Sequence, residues 1–207
     1  MYAVIIFAVM ILYGVIHSLL ASLKLKMIAR RKFGSAADRY YRLAYNLFAV
    51  ISLVPVLVLV AALPDRVLYK IPFPWSLLTI GIQALGVLFL TLGLLETGPF
   101  TFLGIRQIFA PREEEDSPLV VTGLYRFVRH PLYSSGLLII WLTPVMTMNL
   151  LAFNIAATFY LILGARVEER KLIQQYGETY LRYKQETPML LPSFRPRQNR
   201  KWGSRMS

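Results

Sequence analysis

The chain has 207 residues, 56% of them hydrophobic, with no cysteine, two histidines and a formal net charge of +12. Without cysteine there are no disulfides, thiolate metal ligands or cysteine nucleophiles, and two histidines are too few for most zinc sites, so no metal is expected. The Lys and Arg residues flank hydrophobic runs, several of them near the ~20 residues that cross a bilayer, which assigns the charge to membrane lipids and topology and not to nucleic acid.

Residues 1–23 form an almost unbroken apolar run with no basic segment before it, and read as a first span and not as a cleaved signal peptide. His17 and Ser18 lie near its end, where a hydrogen-bonded helix contact is the expected role of His17. Residues 24–42 read as a basic amphipathic linker along the headgroups. Residues 43–63 form the second span, with Pro55 tolerated inside it. A proline-punctuated loop, PDRVLYKIPFP, leads to a third span over 75–95, anchored by Trp75, where Gly81, Gly86 and Gly93 permit close packing.

From Glu96 to Arg129 the chain mixes Gly, Pro, charge and aromatics, too polar to cross and too apolar for a free linker. It is expected at the interface, lining a cavity. The acidic run 113–116 reads as a solvated loop, because adjacent carboxylates repel.

Residues 119–133, LVVTGLYRFVRHPLY, are the densest chemistry in the chain. Pro131 suits the first turn of a helix and pushes His130 into a cap-like position. The first-turn N–H groups then favour a carboxylate or phosphate, with Arg129, His130 and Tyr133 crowding the same spot. Thr122-Gly123 reads as a turn that brings Val120 and Tyr125 back towards it. The competing reading is an interfacial Arg/Tyr cluster with a structural histidine.

Residues 131–148 and 149–165 follow as two apolar segments split by Thr143-Pro144 and 147–149, which fits a tight helical hairpin. Beyond it Leu172, Tyr176, Tyr180 and Tyr183 make one stripe at helical spacing, predicting an amphipathic helix on the membrane or on the site. The basic tail beyond Phe194 is expected to be disordered. Of 23 Lys and Arg residues, 21 fall on one side of the five membrane segments so drawn. That side is cytoplasmic by the positive-inside rule, with the N-terminus outside and the C-terminus inside. The hairpin returns Glu168 and Glu169 to the same face as His130.

The combination TGLYRFVRHPLY, a hydrophobic hairpin, and VEERKLIQQYGETYLRYKQETPMLLP resembles the isoprenylcysteine carboxyl methyltransferase and phospholipid methyltransferase family over roughly residues 102–192. FLGIRQI and WLTPVMTMNLLAF are most similar to its bacterial thiol-methylating members. The fold implied is an all-α integral membrane protein of five transmembrane helices with cytoplasmic amphipathic helices. Its parts would be a three-helix anchor (1–95), a cofactor-binding core (96–194) and a basic tail (195–207).

The resemblance implies S-adenosyl-L-methionine as methyl donor. Ser117, Pro118, Leu119, Val120 and Tyr125 would border it, His130, Pro131 and Tyr133 would hold its amino-acid end, Glu168 would contact it across the hairpin, and Gln107 is a further match. The family's substrate-side arginine aligns with Gly164, and the nearest basic residue is Arg166. Arg129, Arg166 and Glu169 are therefore the candidate catalytic residues, with Arg129 either stabilising an anionic substrate or pairing with Glu168 or Glu169. The acceptor expected is a small or lipidic nucleophile, a thiol before a carboxylate or amine. Two rival classes share the outline: a nicotinamide-dependent lipid reductase resembling the sterol reductases, and a non-enzymatic membrane factor of the denitrification-associated type.

Overall fold

The structure is a computed structural model and describes residues 1–110 and 119–192. The acidic run 113–116, Ser117, Pro118 and the basic tail lie outside the described residues. In chain order the elements are α1 (Tyr2–Leu20), α2 (Leu23–Phe33), α3 (Ser35–Ala62), β1 (Val67–Lys70), α4 (Trp75–Thr97), α5 (Pro99–Leu103) and α6 (Arg106–Phe109). A 3-10 turn (Gly123–Arg126), α7 (Pro131–Trp141), β2 (Val145–Thr147), α8 (Met148–Tyr176) and α9 (Glu178–Glu186) complete it.

Helices α1, α3, α4 and α8 are long and apolar enough to cross a membrane. Their outward faces carry exposed apolar side chains such as Leu12, Val50, Leu57 and Leu88, as a lipid-facing surface requires. The expectation of five transmembrane helices, the last two a hairpin of short segments, meets four long helices and a short one. Helix α7 has 11 residues, a rise of ~16 Å against a hydrocarbon core of ~30 Å. It stops because Pro144 lacks an N–H to continue a helix and because residues 145–147 pair as a strand with β1 instead.

Small residues set the helix contacts, since close backbone approach replaces hydrophobic driving force between apolar helices in lipid. A Cβ on Gly14 of α1 would stand 2.9 Å from the Tyr160 ring of α8, and one on Gly86 of α4 would stand 2.9 Å from Ile139 of α7. Gly93 meets Leu132 in the same way, at 3.1 Å, whereas Gly81 has nothing within 4 Å and takes no part. The core formed by α1, α3 and α8 centres on Met10, Val56, Ala156 and Ala157. His17 is the polar member of this bundle: its Nδ1 meets the hydroxyl of Tyr45 at 2.9 Å and the hydroxyl of Tyr160 as well. It joins three helices, the helix-contact role expected of it.

The loop expected over 64–74 contains β1, antiparallel to β2 with Val67 opposite Thr147 and Lys70 opposite Val145. This end is fully pinned. Asn149, 1% exposed, donates through Nδ2 to the carbonyls of Leu63 (3.2 Å) and Pro64 (3.3 Å). Its own N–H donates to the Asp65 carboxylate at 3.0 Å, and the Thr147 side chain caps α8 by accepting from Leu150 N–H at 3.2 Å.

Two boundaries differ from the sequence reading. The linker over 24–42 is helical: Ser22 caps α2 by accepting from Leu25 N–H, Gly34 breaks the helix at φ 56°, and α3 starts at Ser35. Helix α8 does not end near Ala165 but runs unbroken to Tyr176, because its charged residues are good helix formers. The break comes at Gly177, φ 54°, a conformation glycine adopts without steric cost.

Candidate active site

At the end of α7 and α8 opposite the β1–β2 pair, the helices enclose a cavity of about 980 Å³, within the range of small-molecule sites. Helix α7 begins at Pro131 with His130 as its N-cap residue, as the proline dictates. Tyr133, one turn in, donates its hydroxyl to Glu168 Oε2 at 2.9 Å. The rings of His130 and Tyr133 stack with centroids 5.3 Å apart. Glu168 Oε2 also lies 3.7 Å from His130 Nδ1, and the Glu168 side chain remains 47% exposed. Gln107, Leu119, Val120, Tyr125, His130, Pro131, Tyr133, Glu168 and Arg129 all line the cavity.

Glu169 sits behind the cavity wall in a closed ion network. Its side chain is 4% exposed and that of Arg129 8%. Arg129 Nε donates to Glu169 Oε1 at 2.7 Å and Nη2 lies 2.6 Å from the same oxygen. Lys184 Nζ, from α9, is 2.8 Å from Oε2. Arg129 Nη1 also donates to the carbonyls of Lys184 (2.9 Å) and Thr187. Of the two roles open to Arg129, the structure takes the pairing with Glu169. Arg166 is exposed and lies off the cavity wall. Position 166 on α8 falls two residues before Glu168 and thus on another helix face.

The segment after α9 completes this wall. Arg129 N–H donates to Pro188 O at 2.9 Å, His130 N–H to Met189 O at 3.2 Å, and Ser134 Oγ to Leu190 O at 2.6 Å. The Tyr183 hydroxyl donates to Tyr125 O at 2.8 Å. The stripe Leu172, Tyr176, Tyr180, Tyr183 faces the cavity throughout, so α9 packs on the site. The Tyr180 hydroxyl is buried and has no hydrogen-bond partner among the described residues.

Glycines shape the opposite wall. At Gly123, φ 57°, a Cβ would stand 1.9 Å from Glu96 Oε1. The absence of one lets Glu96 accept from Leu124 N–H at 3.2 and 3.1 Å and cap the 3-10 turn. At Gly104, φ 89°, a Cβ would stand 2.6 Å from Leu43 N. The tight contact carries Gln107, 5% exposed, into the cavity, where its Nε2 donates to Thr101 O at 3.3 Å.

Burial pushes the His130 imidazole below its ordinary pKa; Glu168 and Glu169 oppose this and Arg129 adds to it. The ring is therefore neutral near pH 7. Burial, then the Glu168 charge, pushes the Tyr125 phenol up, and burial followed by Glu169 does the same for Tyr180. Both keep their protons near neutral pH.

The sequence reading missed the third wall. Helix α2 lines the cavity through Leu23, Lys26, Met27 and Arg30, and α3 through Ala37, Asp38, Tyr41 and Arg42. The signal was present as spacing: 23, 26, 27 and 30 form a single helical stripe. Among the described residues no group of three or more His, Cys, Asp or Glu is placed to hold a metal.

The profile described as phospholipid methyltransferase matches residues 78–179, from early α4 into α9. A methanethiol S-methyltransferase from Crocosphaera subtropica is 38% identical over 96 residues, covering 45% of this chain and 38% of that protein. Methanethiol S-methyltransferase 1 from Bradyrhizobium diazoefficiens is 30% identical over 189 residues, 88% of this chain and 64% of its own length. Protein-S-isoprenylcysteine O-methyltransferase B from Arabidopsis thaliana is 36% identical over 84 residues, 39% of this chain and 43% of its own. The chain thus spans less than two thirds of the length of these relatives. No solved structure gives a significant match. The RHPLY stretch, the Glu pair and the helices that join them lie inside the matched region, and over that region the chain is similar to the phospholipid and isoprenylcysteine methyltransferases.

Proposed function

We propose that the protein is an integral membrane methyltransferase that uses S-adenosyl-L-methionine and acts on a small or lipidic nucleophile, a thiol in preference to a carboxylate or amine. The observation that carries this is the cavity itself. It joins the polar set His130, Tyr133, Glu168 and Gln107 to an apolar wall at the end of two membrane helices.

The donor set suits the amino-acid end of such a cofactor. Glu168 offers a half-open carboxylate to an ammonium group, and the unpartnered Tyr180 hydroxyl is a buried polar atom on the same wall. When bound, S-adenosyl-L-methionine supplies a methyl group already activated on a sulfonium. The protein's task is to desolvate, align and accept a proton. His130, Pro131 and Tyr133 hold the amino-acid end together with Glu168. Leu119, Val120, Tyr125 and Gln107 would border the remainder. His130, neutral near pH 7, is the group on the wall able to take the acceptor's proton. Arg129 and Glu169 position the wall, and Arg166 has no part in this mechanism.

The thiol preference rests on the relatives named methanethiol S-methyltransferases and on Gly164, which stands where an arginine would otherwise orient a substrate carboxylate. The cavity faces the cytoplasm in this reading, with the N-terminus outside. Helix α7, with ~16 Å of helical rise, and the turn that leads to β2 together make the fifth passage. Reporter fusions at Asp65 and after Pro192 should give opposite signals; equal signals reject that topology.

Calorimetry with S-adenosylhomocysteine and with a reduced nicotinamide tests the cofactor. Binding of the nicotinamide alone would move the protein to the reductase class, and binding of neither would favour the non-enzymatic one. A radiolabelled methyl-transfer assay in proteoliposomes against a short alkanethiol, a prenylcysteine and phosphatidylethanolamine tests the acceptor. Labelling of the prenylcysteine without the thiol would reverse the preference.

A further inference from the structure

The His130 ring stands end-on between two carboxylates of unequal kind. Its Nε2 faces Glu169 Oε1 at 3.4 Å, on a side chain 4% exposed, and its Nδ1 faces Glu168 Oε2 at 3.7 Å, on a side chain 47% exposed. Glu168 lines the cavity and Glu169 does not, so the two nitrogens serve opposite sides of the wall. The surroundings fix the ring in this pose. Its backbone N–H donates to Met189 O, its carbonyl accepts from Ser134, and the ring lies within 4° of parallel to that of Tyr133.

The buried side decides where the single hydrogen of the neutral ring sits. Glu169 is an anion: Arg129 Nε and Nη2 hold its Oε1 at 2.7 and 2.6 Å, and Lys184 Nζ holds its Oε2 at 2.8 Å. Those contacts leave no full hydrogen bond for His130 Nε2, which is buried and has no other partner among the described residues. A bare nitrogen lone pair held 3.4 Å from a buried carboxylate oxygen is repelled, and a hydrogen on that nitrogen makes the same approach attractive. At Nδ1 the conflict is milder, because Glu168 is half open to solvent and its charge is screened. A neutral imidazole has one N–H, so Nδ1 stays bare.

We propose that Glu169 is a positioning residue that fixes His130 in the Nε2–H tautomer, so that the Nδ1 lone pair, on the cavity side, takes the acceptor's proton. Its chemistry rests on the methyltransferase reading; the tautomer does not. With a thiol acceptor the S–H proton passes to Nδ1, and the S–H electron pair stays on sulfur to form the new C–S bond. The methyl's bond to the donor sulfur breaks with its pair left on that sulfur. One positive charge is thus lost from the sulfonium and one appears on the imidazole, where the buried carboxylate behind Nε2 stabilises it. Arg129 and Lys184 keep Glu169 ionised, so the proton leaves again through Nδ1. The charged and titratable groups around the ring are Glu168 and Glu169 of α8, Arg129 beside it and Tyr133 of α7, with Lys184 and Tyr180 of α9 acting on Glu169.

The test reads the tautomer directly, by nitrogen-15 NMR of the full chain in detergent with labelled histidine and no ligand. The chain has two histidines, and H130Q, which leaves His17 alone, assigns the signals. Above pH 7 the wild-type His130 should carry its hydrogen on Nε2, and E169Q should lose that preference. A wild-type ring protonated on Nδ1, or an even mixture, overturns the proposal, and so does a folded E169Q with an unchanged tautomer. If E169Q fails to fold, the wild-type spectrum decides alone. In proteoliposomes with a short alkanethiol, E169Q should lower kcat about a hundredfold near neutral pH, and the deficit should shrink as pH rises and the thiol ionises by itself. A deficit that does not change with pH is the mark of a merely structural role and overturns the proposal. An Nε2–H ring in a protein that methylates none of the acceptors overturns the proposed function, whereas methyl transfer by a protein with an Nδ1–H ring overturns this inference alone.

Discussion

Helices α7 and α8 have two ends, and they are built in opposite ways. At the β1–β2 end side chains pin the backbone: Asn149 holds two carbonyls, Asp65 holds the start of α8, and the strands pair. At the other end the same helices carry a carboxylate left half open, a buried histidine kept neutral and a tyrosine hydroxyl without a partner. The first end fixes where the helices stand. The second presents what they hold, and the Arg129–Glu169–Lys184 network backs it, with Arg129 on the cavity wall and Glu169 behind it.

The sharpest way to break this comparison lies in the two adjacent glutamates. Glu169→Ala leaves Arg129 buried beside Lys184 and should cost about 3–5 kcal/mol, read by denaturant unfolding in detergent. Glu168→Ala, at an exposed carboxylate, should cost less than about 1 kcal/mol. Similar losses would mean that the cavity wall and its support are not distinct. At the pinned end, Asn149→Ala strips two carbonyls of their donor and should cost about 1–3 kcal/mol. It should leave S-adenosylhomocysteine affinity unchanged, and a change in affinity would show that the two ends are coupled.

A third test sharpens the functional side. Tyr133→Phe and Glu168→Gln should each weaken S-adenosylhomocysteine binding by about 1–3 kcal/mol through a lost charge-assisted hydrogen bond. Calorimetry at wild-type affinity for both would remove them from the cofactor wall. The smallest effect concerns pH. The folded pKa of His130 is depressed, so the unfolded chain binds the extra proton first and stability falls as pH drops below about 6.5. The loss should approach about 1.4 kcal/mol per pH unit, and His130→Gln should flatten it. An unchanged slope between pH 7 and 5 in that variant would place the titrating group elsewhere.

What the sequence made legible follows from local rules. Pro131 dictated the helix start, the position of His130 and the approach of Tyr133, and the stripe Leu172–Tyr176–Tyr180–Tyr183 was a periodicity that survived a helix break at Gly177. What it hid was non-local. Strand β1 is four residues long, and its partner lies some 75 residues away, beyond α4, α5, α6 and α7, so nothing in VLYK distinguishes it from a loop. The basic stripe of α2 looked like a membrane-surface helix because it has that composition; only packing against α3 turns one face inward. The two glutamates of VEER were likewise equivalent in sequence, and a rotation of ~100° per residue along α8 gave one to the cavity and one to the ion network.

The segment 188–190 has a consequence for the order in which the protein is made. Its carbonyls receive the N–H groups of Arg129 and His130 and the hydroxyl of Ser134, so the wall of the cavity is finished by residues synthesised some 55 positions later. Membrane insertion needs none of these bonds, because each long helix satisfies its own backbone. Insertion and site assembly are therefore separate events.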